Sequence, residues 1–236
     1  MIYAGILSGG VGTRMQRADM PKQFLELGDK PILIHTIDPF MVNPNIDEII
    51  VALPRPWISY TIDLVRKYYP NQEKIHLIAG GETRNETLMC ILDDIEQRNS
   101  IGEDDVIISH DAIRPFVSGR IINDNIDAVQ KYGAVDTVIP AFDTIVESAD
   151  GETICNIPVR SRMYQGQTPQ SFHIKTLREV YAQLTEEEVD SLTDAAKIFV
   201  LKNCPVHMVM GDSSNIKITT PYDLKVANAL LRNDML

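Results

Sequence analysis

The chain opens on Ile2-Tyr3-Ala4-Gly5-Ile6-Leu7, an apolar run without period-two alternation, and passes directly into Ser8-Gly9-Gly10-Val11-Gly12-Thr13-Arg14-Met15. A strand that is apolar at consecutive positions is covered on both faces, which points to a mainly parallel sheet with helices above and below it. A glycine turn at the end of such a strand presents backbone N–H groups to the space above the sheet, where phosphate oxygens are readily held. Further strand-like runs at Glu48–Leu53, Ile75–Ala79, 105–109 and 135–139 alternate with helical stretches at 31–41, 57–69, 83–97 and Gly119–Tyr132. The third helix carries an apolar stripe of Leu88, Ile91, Leu92 and Ile95, spaced for one helical face. This order predicts an α/β fold of three layers.

The alternation then breaks. Residues 144–148 and 153–157 flank Asp150-Gly151, a pair that tolerates positive φ and signals a hairpin. The expectation is a two-stranded arm over 142–163 inserted into a single domain of residues 1–236. Helical character returns at 175–184 and 194–202. Strands are expected at His207–Met210 and 216–219, followed by a last helix over 222–232 with Thr220 as N-cap and Pro221 in its first turn.

Composition limits the partners. The chain has 236 residues, with 22 Lys and Arg against 33 Asp and Glu, a formal net charge of −11. A general nucleic-acid binder needs the opposite sign, and an anionic membrane surface would repel this chain. An anionic ligand must be held by a local group of cations. Cys90, Cys155 and Cys204 are odd in number and lack CxxC spacing, which argues against a zinc site or a disulfide framework and for a reducing compartment. The start lacks a basic leader, and no run reaches 18 apolar residues, so a cytoplasmic protein is expected.

The type of glycine loop matters. A P-loop requires lysine where Val11 stands, and a dinucleotide loop requires a third glycine where Met15 stands. What is present is GGxGTRM followed by Met20-Pro21-Lys22-Gln23-Phe24. Arg14 and Lys22, eight positions apart, can neutralise a triphosphate and the charge that builds during phosphoryl transfer. Thr83-Arg84-Asn85-Glu86 fits a capping box, which by itself needs no more than a helix start. The preceding Gly80-Gly81 permits close approach of a ligand to the backbone. Asp111 stands at the end of a predicted parallel strand, where ligands gather. It either caps the following turn or holds Mg2+ against phosphate oxygens. His110 is expected to support the backbone.

Five segments together carry a resemblance. They are the glycine loop, Gly80-Gly81-Glu82-Thr83-Arg84-Asn85-Glu86-Thr87, His110-Asp111-Ala112-Ile113-Arg114-Pro115-Phe116, Gln165-Gly166-Gln167-Thr168-Pro169-Gln170 and Asn215-Ile216-Lys217-Ile218-Thr219. The set resembles the cytidylyltransferase family that contains the methylerythritol-phosphate and ribitol-5-phosphate enzymes. The resemblance implies a Rossmann-like nucleotidyltransferase sheet and a reaction of CTP with a polyol phosphate, with Mg2+, giving a CDP-polyol and pyrophosphate. It implies CTP binding by Leu7, Ser8, Gly9, Gly10, Gly81, Glu82, Thr83, Arg84, Asn85, Glu86, Thr87 and Ala112, and a metal at Asp111. It further implies transition-state stabilisation by Arg14 and Lys22, and placement of the acceptor phosphate by Arg160 and Lys217. From local sequence alone each of these cations would be an ordinary surface group, and Arg162 competes with Arg160. The arm is implied to cross to a second subunit in a homodimer. The Glu82–Thr87 hexapeptide, Thr193-Asp194-Ala195-Ala196-Lys197 and Tyr164-Gln165-Gly166-Gln167 look more like the ribitol branch, which implies CDP-ribitol for teichoic acid or capsule precursors. The alternative is the methylerythritol branch of isoprenoid synthesis.

Overall fold

The computed structural model describes residues 1–9 and 20–233. In chain order the elements are β1 (Ile2–Leu7), β2 (Glu26–Leu27), β3 (Lys30–Pro31), α1 (Ile32–Val42), β4 (Glu48–Leu53), α2 (Ile58–Tyr68), β5 (Ile75–Ala79), α3 (Arg84–Arg98), β6 (Val106–Asp111) and α4 (Gly119–Tyr132). They continue with β7 (Ala134–Pro140), β8 (Tyr164–His173), α5 (Ile174–Tyr181), α6 (Glu186–Asp190), α7 (Ala196–Leu201), β9 (His207–Met210) and α8 (Pro221–Asn233). Seven strands form one sheet in the order β5-β4-β1-β6-β8-β7-β9. Neighbours pair in parallel except at β8, which runs against both β6 and β7.

Both faces of the sheet are covered, as the unbroken apolar character of β1 requires. Ala4 and Ile6 pack on one side with Ile49, Val51 and Ile108, under α1 and α4. Tyr3 and Leu7 pack on the other with Ile50, Ala52 and Ile107, under α3 and α5. The chain moves from β1 outward through β4 to β5, then returns to place β6 on the opposite side of β1. This reversal opens a crevice above the carboxyl ends of β1 and β6, the usual ligand position in such sheets.

The structure corrects four expectations. β8 was not foreseen: its Gln165–Gln170 stretch reads as a polar loop, yet its polar groups find partners on β6, on α4 and at Asn215. Ser109 Oγ donates to Gln170 O at 2.9 Å, Ser171 Oγ to Asn125 Oδ1 at 3.0 Å and Asn215 Nδ2 to Thr168 O at 2.8 Å. Residues 216–219 do not join the sheet. They run beside the turn after β6, with Ile218 N–H on Ile113 O at 2.9 Å. The helix expected over 175–184 ends at Tyr181, and the short α6 follows it. The arm has its turn but no continuous ladder. Gly151 takes φ +76, and the Asp150 carboxylate accepts from the N–H groups of Glu152 and Thr153. One antiparallel bridge, Glu147 with Asn156, joins its two sides. Among the described residues no helix is long and apolar enough to cross a membrane.

Candidate active site

One wall of the crevice is built by backbone proximity. A Cβ on Gly9 would lie 2.9 Å from Thr87 Oγ1, and one on Gly81 would lie 2.5 Å from Glu86 Cβ. Glycine is therefore required on both sides where the end of β1 meets the start of α3. That start is a full capping box. Thr83 Oγ1 accepts from Glu86 N–H at 3.1 Å, and Glu86 Oε2 accepts from Thr83 N–H at 3.4 Å and from Glu82 N–H at 2.9 Å. Both side chains thus serve the cap that orients α3 toward the crevice. Thr87 Oγ1 donates back to Thr83 O at 2.8 Å.

Lys22 begins a single turn of 3-10 helix, Lys22–Phe24. Its neighbour Gln23 is buried and donates Nε2 to Ser8 O at 2.9 Å. This bond ties the return of the glycine loop to the strand from which the loop leaves. Phe24, also buried, stacks on Trp57 with ring centroids 5.0 Å apart. Gly10 and Arg14 lie outside the described residues.

The other wall centres on Asp111, the last residue of β6. Arg84 Nε lies 3.1 Å from Oδ1, while Lys217 Nζ lies 2.8 Å and Arg114 Nε 3.7 Å from Oδ2. Burial pushes this carboxyl up, but Arg84, Lys217 and Arg114 outweigh it and hold it well below the usual carboxylate range. Three cations around one carboxylate leave a surplus of positive charge, which suits a polyanion. Lys217 is brought here by its flanks: Asn215 O accepts from Arg114 Nη1 at 2.7 Å, and Asn215 Nδ2 donates to Thr168 O. Three segments distant in sequence therefore meet at one carboxylate.

Residues 2–233 match the family model of IspD, 2-C-methyl-D-erythritol 4-phosphate cytidylyltransferase. The chain belongs to this family. Among solved structures it resembles 4-diphosphocytidyl-2C-methyl-D-erythritol synthase of Anaerococcus prevotii DSM 20548, at 30% identity and a TM-score of 0.80, over 98% of this chain and 96% of that one. It also resembles 2-C-methyl-D-erythritol 4-phosphate cytidylyltransferase of Francisella tularensis, at 28% identity and a TM-score of 0.80, over 97% and 98% of the two chains. The enzyme of that name from Thermus thermophilus matches at 28% identity and a TM-score of 0.73, over 97% and 98%.

In this cytidylyltransferase the structure brings residues 7–9 and 81–87, Asp111 and Ala112 together, among the described residues, at the carboxyl ends of β1 and β6. Ala112 is buried, and its N–H donates to Leu7 O at 3.1 Å. His110 is buried and committed on both ring nitrogens. A carbonyl can only accept, so Nε2 carries the proton and donates to Arg114 O at 3.0 Å. Nδ1 then accepts from the Thr168 hydroxyl at 3.0 Å. Burial lowers its pKa to about 4. His110 is thus a neutral strut, as expected from the sequence.

Arg160 is different. It sits in an exposed turn at the base of the arm, with Nη1 on Phe142 O at 3.2 Å. Among the described residues no hydrogen bond or ion pair joins Arg160 or Arg162 to the Asp111 group. One further group escaped the sequence reading. Asp136, inside β7, has its Oδ1 buried without a hydrogen-bond partner. Its sequence signal was a carboxylate in the middle of the apolar run Ala134–Pro140.

Proposed function

We propose that this cytidylyltransferase joins CTP to D-ribitol 5-phosphate, giving CDP-ribitol and pyrophosphate. The observation that carries the chemistry is the Asp111 carboxylate ringed by Arg84, Arg114 and Lys217 at the carboxyl ends of the sheet. An oxygen of the acceptor phosphate attacks the α-phosphorus of CTP. The bond from that phosphorus to the β-phosphate oxygen breaks, and pyrophosphate leaves. The acceptor is a phosphate monoester, mostly dianionic above a second pKa of about 6, so no side chain has to remove a proton. His110 is unsuited to that task, being buried and hydrogen-bonded on both nitrogens. The residues instead position the two anions and neutralise them. Lys22 and Arg14 serve the triphosphate and the charge that develops on it. Lys217 takes the acceptor phosphate, with Arg160 supplied from the arm.

Asp111 fits a magnesium ion that arrives with the nucleotide. It is an ionised hard-oxygen donor, and such ions complete their shell from substrate phosphates and water. When bound, the ion offsets phosphate charge. Lys217 and Arg84 would then turn from the carboxylate to the incoming phosphates.

Support for ribitol phosphate as acceptor comes from Thr193-Asp194-Ala195. The methylerythritol branch is expected to carry Glu or Asp where Ala195 stands. Ala195 is fully buried in an apolar cluster with Phe172, Ile198 and Phe199, where a carboxylate would be costly. CDP-ribitol would supply a polyol-phosphate polymer of the teichoic acid or capsule kind. The second reading, methylerythritol phosphate, is favoured by the family description and by the names of the solved relatives.

The arm supports a homodimer. Phe142, Ile154, Ile157 and Val159 are 58 to 62% exposed, too apolar for a free ribbon. A neighbouring subunit would cover them and bring Arg160 to its own site. A competition assay tests the acceptor: CTP and Mg2+ with equal amounts of both polyol phosphates in one tube, products separated by mass. CDP-ribitol as the main product supports the proposal, and CDP-methylerythritol as the main product overturns it.

A further inference from the structure

Lys217 lies on a stretch without regular structure, between the end of β9 at Met210 and the start of α8 at Pro221. Its side chain is 41% exposed and has a flexible stem, so the place of its ammonium depends on how the backbone beneath it is held. On one side of Lys217, the Ile218 N–H is bonded to Ile113 O at 2.9 Å. On the other side stand Asp212 and Asn215, and one side chain of β8, Gln167, grips both. Gln167 Nε2 donates to Asp212 O at 2.8 Å. Its Oε1 accepts from Asp212 N–H at 3.4 Å and from Asn215 Nδ2 at 3.2 Å. Gln167 has no part in the transfer chemistry above.

Gln167 reaches that stretch because the sheet is irregular where it stands. Val138 pairs with Gly166 and Asp136 with Gln170, so Thr137 stands opposite residues 167–169. A bulge of this kind re-aims side chains out of the ladder. The residue type matters as well. A single side chain meets both the carbonyl and the N–H of Asp212, which takes a donor and an acceptor on one fork, and an amide supplies both. A carboxylate would face Asp212 O with a second acceptor. The fit is close: a Cβ on Gly211 would lie 2.3 Å from Gln167 Oε1, so glycine is required there. Gln167 is 7% exposed and Asn215 0%, which keeps water from competing for these bonds.

The grip continues toward the site. The Asn215 side chain is held by Gln167 and by Thr168 O, while its backbone carbonyl accepts from Arg114 Nη1 at 2.7 Å. Lys217 follows two positions later, with its ammonium on Asp111. We propose that Gln167 is a positioning residue for acceptor use: through Asp212 and Asn215 it sets where Lys217 stands on Asp111, and thereby the affinity for the acceptor phosphate. It touches no reacting atom. This deepens the assignment of Lys217 to the acceptor phosphate and rests on it.

The test is a double-mutant cycle of Gln167→Met and Lys217→Ala, read as steady-state pyrophosphate release with CTP, Mg2+ and the better of the two polyol phosphates. Methionine keeps the length of the side chain and lacks the amide. Gln167→Met should raise KM for the acceptor about tenfold, as for a lost buried hydrogen bond, and leave KM for CTP unchanged within about twofold. In the Lys217→Ala background the same substitution should change the acceptor KM by less than about twofold, because the cation it positions is gone. Gln167→Glu keeps the accepting oxygen and should raise the acceptor KM by about threefold. An unchanged acceptor KM in Gln167→Met, equal rises for both substrates, or a full tenfold effect on top of Lys217→Ala overturns the inference, and Gln167 then holds the fold and nothing more. Should Gln167→Met fail to fold, Gln167→Glu decides by the same split and the same cycle, and an unchanged acceptor KM there overturns the inference. Failure of the underlying assignment looks different: Lys217→Ala by itself then keeps wild-type acceptor kinetics, and the inference falls with it.

Discussion

The Lys217 ammonium rests 2.8 Å from Oδ2 of Asp111, so a segment after the last strand of the sheet closes on the end of β6. The pair fixes the Lys217 ammonium at the carboxyl end of that strand. Arg84 and Arg114 share the same carboxylate.

Lys217→Ala should therefore spare the fold and damage acceptor use. The expected result is a fall of roughly 10²-fold in kcat/KM for the polyol phosphate, with KM for CTP little changed. Steady-state pyrophosphate release measures both. Wild-type kinetics in the variant would remove Lys217 from the site.

Lys22 and Gln23 are neighbours with separable roles. Lys22→Ala should lower kcat by roughly 10²-fold at unchanged thermal midpoint. Gln23→Ala strips Ser8 O of a buried donor and should cost about 1–3 kcal/mol of stability as well as activity. Paired unfolding and rate measurements distinguish them, and a Lys22→Ala enzyme with full kcat would contradict the assignment.

Two buried groups pull stability in opposite directions between pH 4 and 7. His110 has its pKa lowered to about 4, so the folded state binds fewer protons than the unfolded chain and stability falls as pH drops from 6.5 toward 4. Asp136 has its pKa raised to about 7, so the folded state binds more protons and stability falls as pH rises over that window. The wild type should show a shallow profile. Asp136→Asn removes the second effect and should expose the first, with a steeper loss of stability toward pH 4.5. Urea midpoints at pH 4.5, 5.5 and 6.5 read this directly, and parallel profiles would refute it.

Much of this arrangement is legible in the sequence because burial on both faces leaves a mark. Tyr3 and Leu7 pack on one side and Ala4 and Ile6 on the other, which is why β1 reads as an unbroken apolar run. Asp111 and Lys217 are legible through their motifs. β8 is not, since Gln165, Gly166, Thr168 and Gln170 carry no apolar repeat, and their partners Ser109 and Asn215 are far away in sequence. Asp136 is hidden for a related reason: a single carboxylate in a strand has no spacing that announces its neighbours. The arm's turn is written in Asp150-Gly151, whereas its weak pairing depends on what covers its apolar side chains.

Sedimentation addresses the arm. The wild type should run as a dimer at micromolar concentration, and deletion of residues 143–157 should give a monomer with kcat reduced roughly tenfold or more, because Arg160 loses its place. A fully active wild-type monomer would contradict the shared site.

The most direct measurement is the rate of pyrophosphate release with CTP and each acceptor in turn, and with UTP as the control. The account predicts that kcat/KM for CTP with D-ribitol 5-phosphate exceeds that for methylerythritol phosphate, and that for UTP with ribitol phosphate, by at least about tenfold, or 1.4 kcal/mol. Faster release with methylerythritol phosphate, or equal rates with UTP, would contradict it.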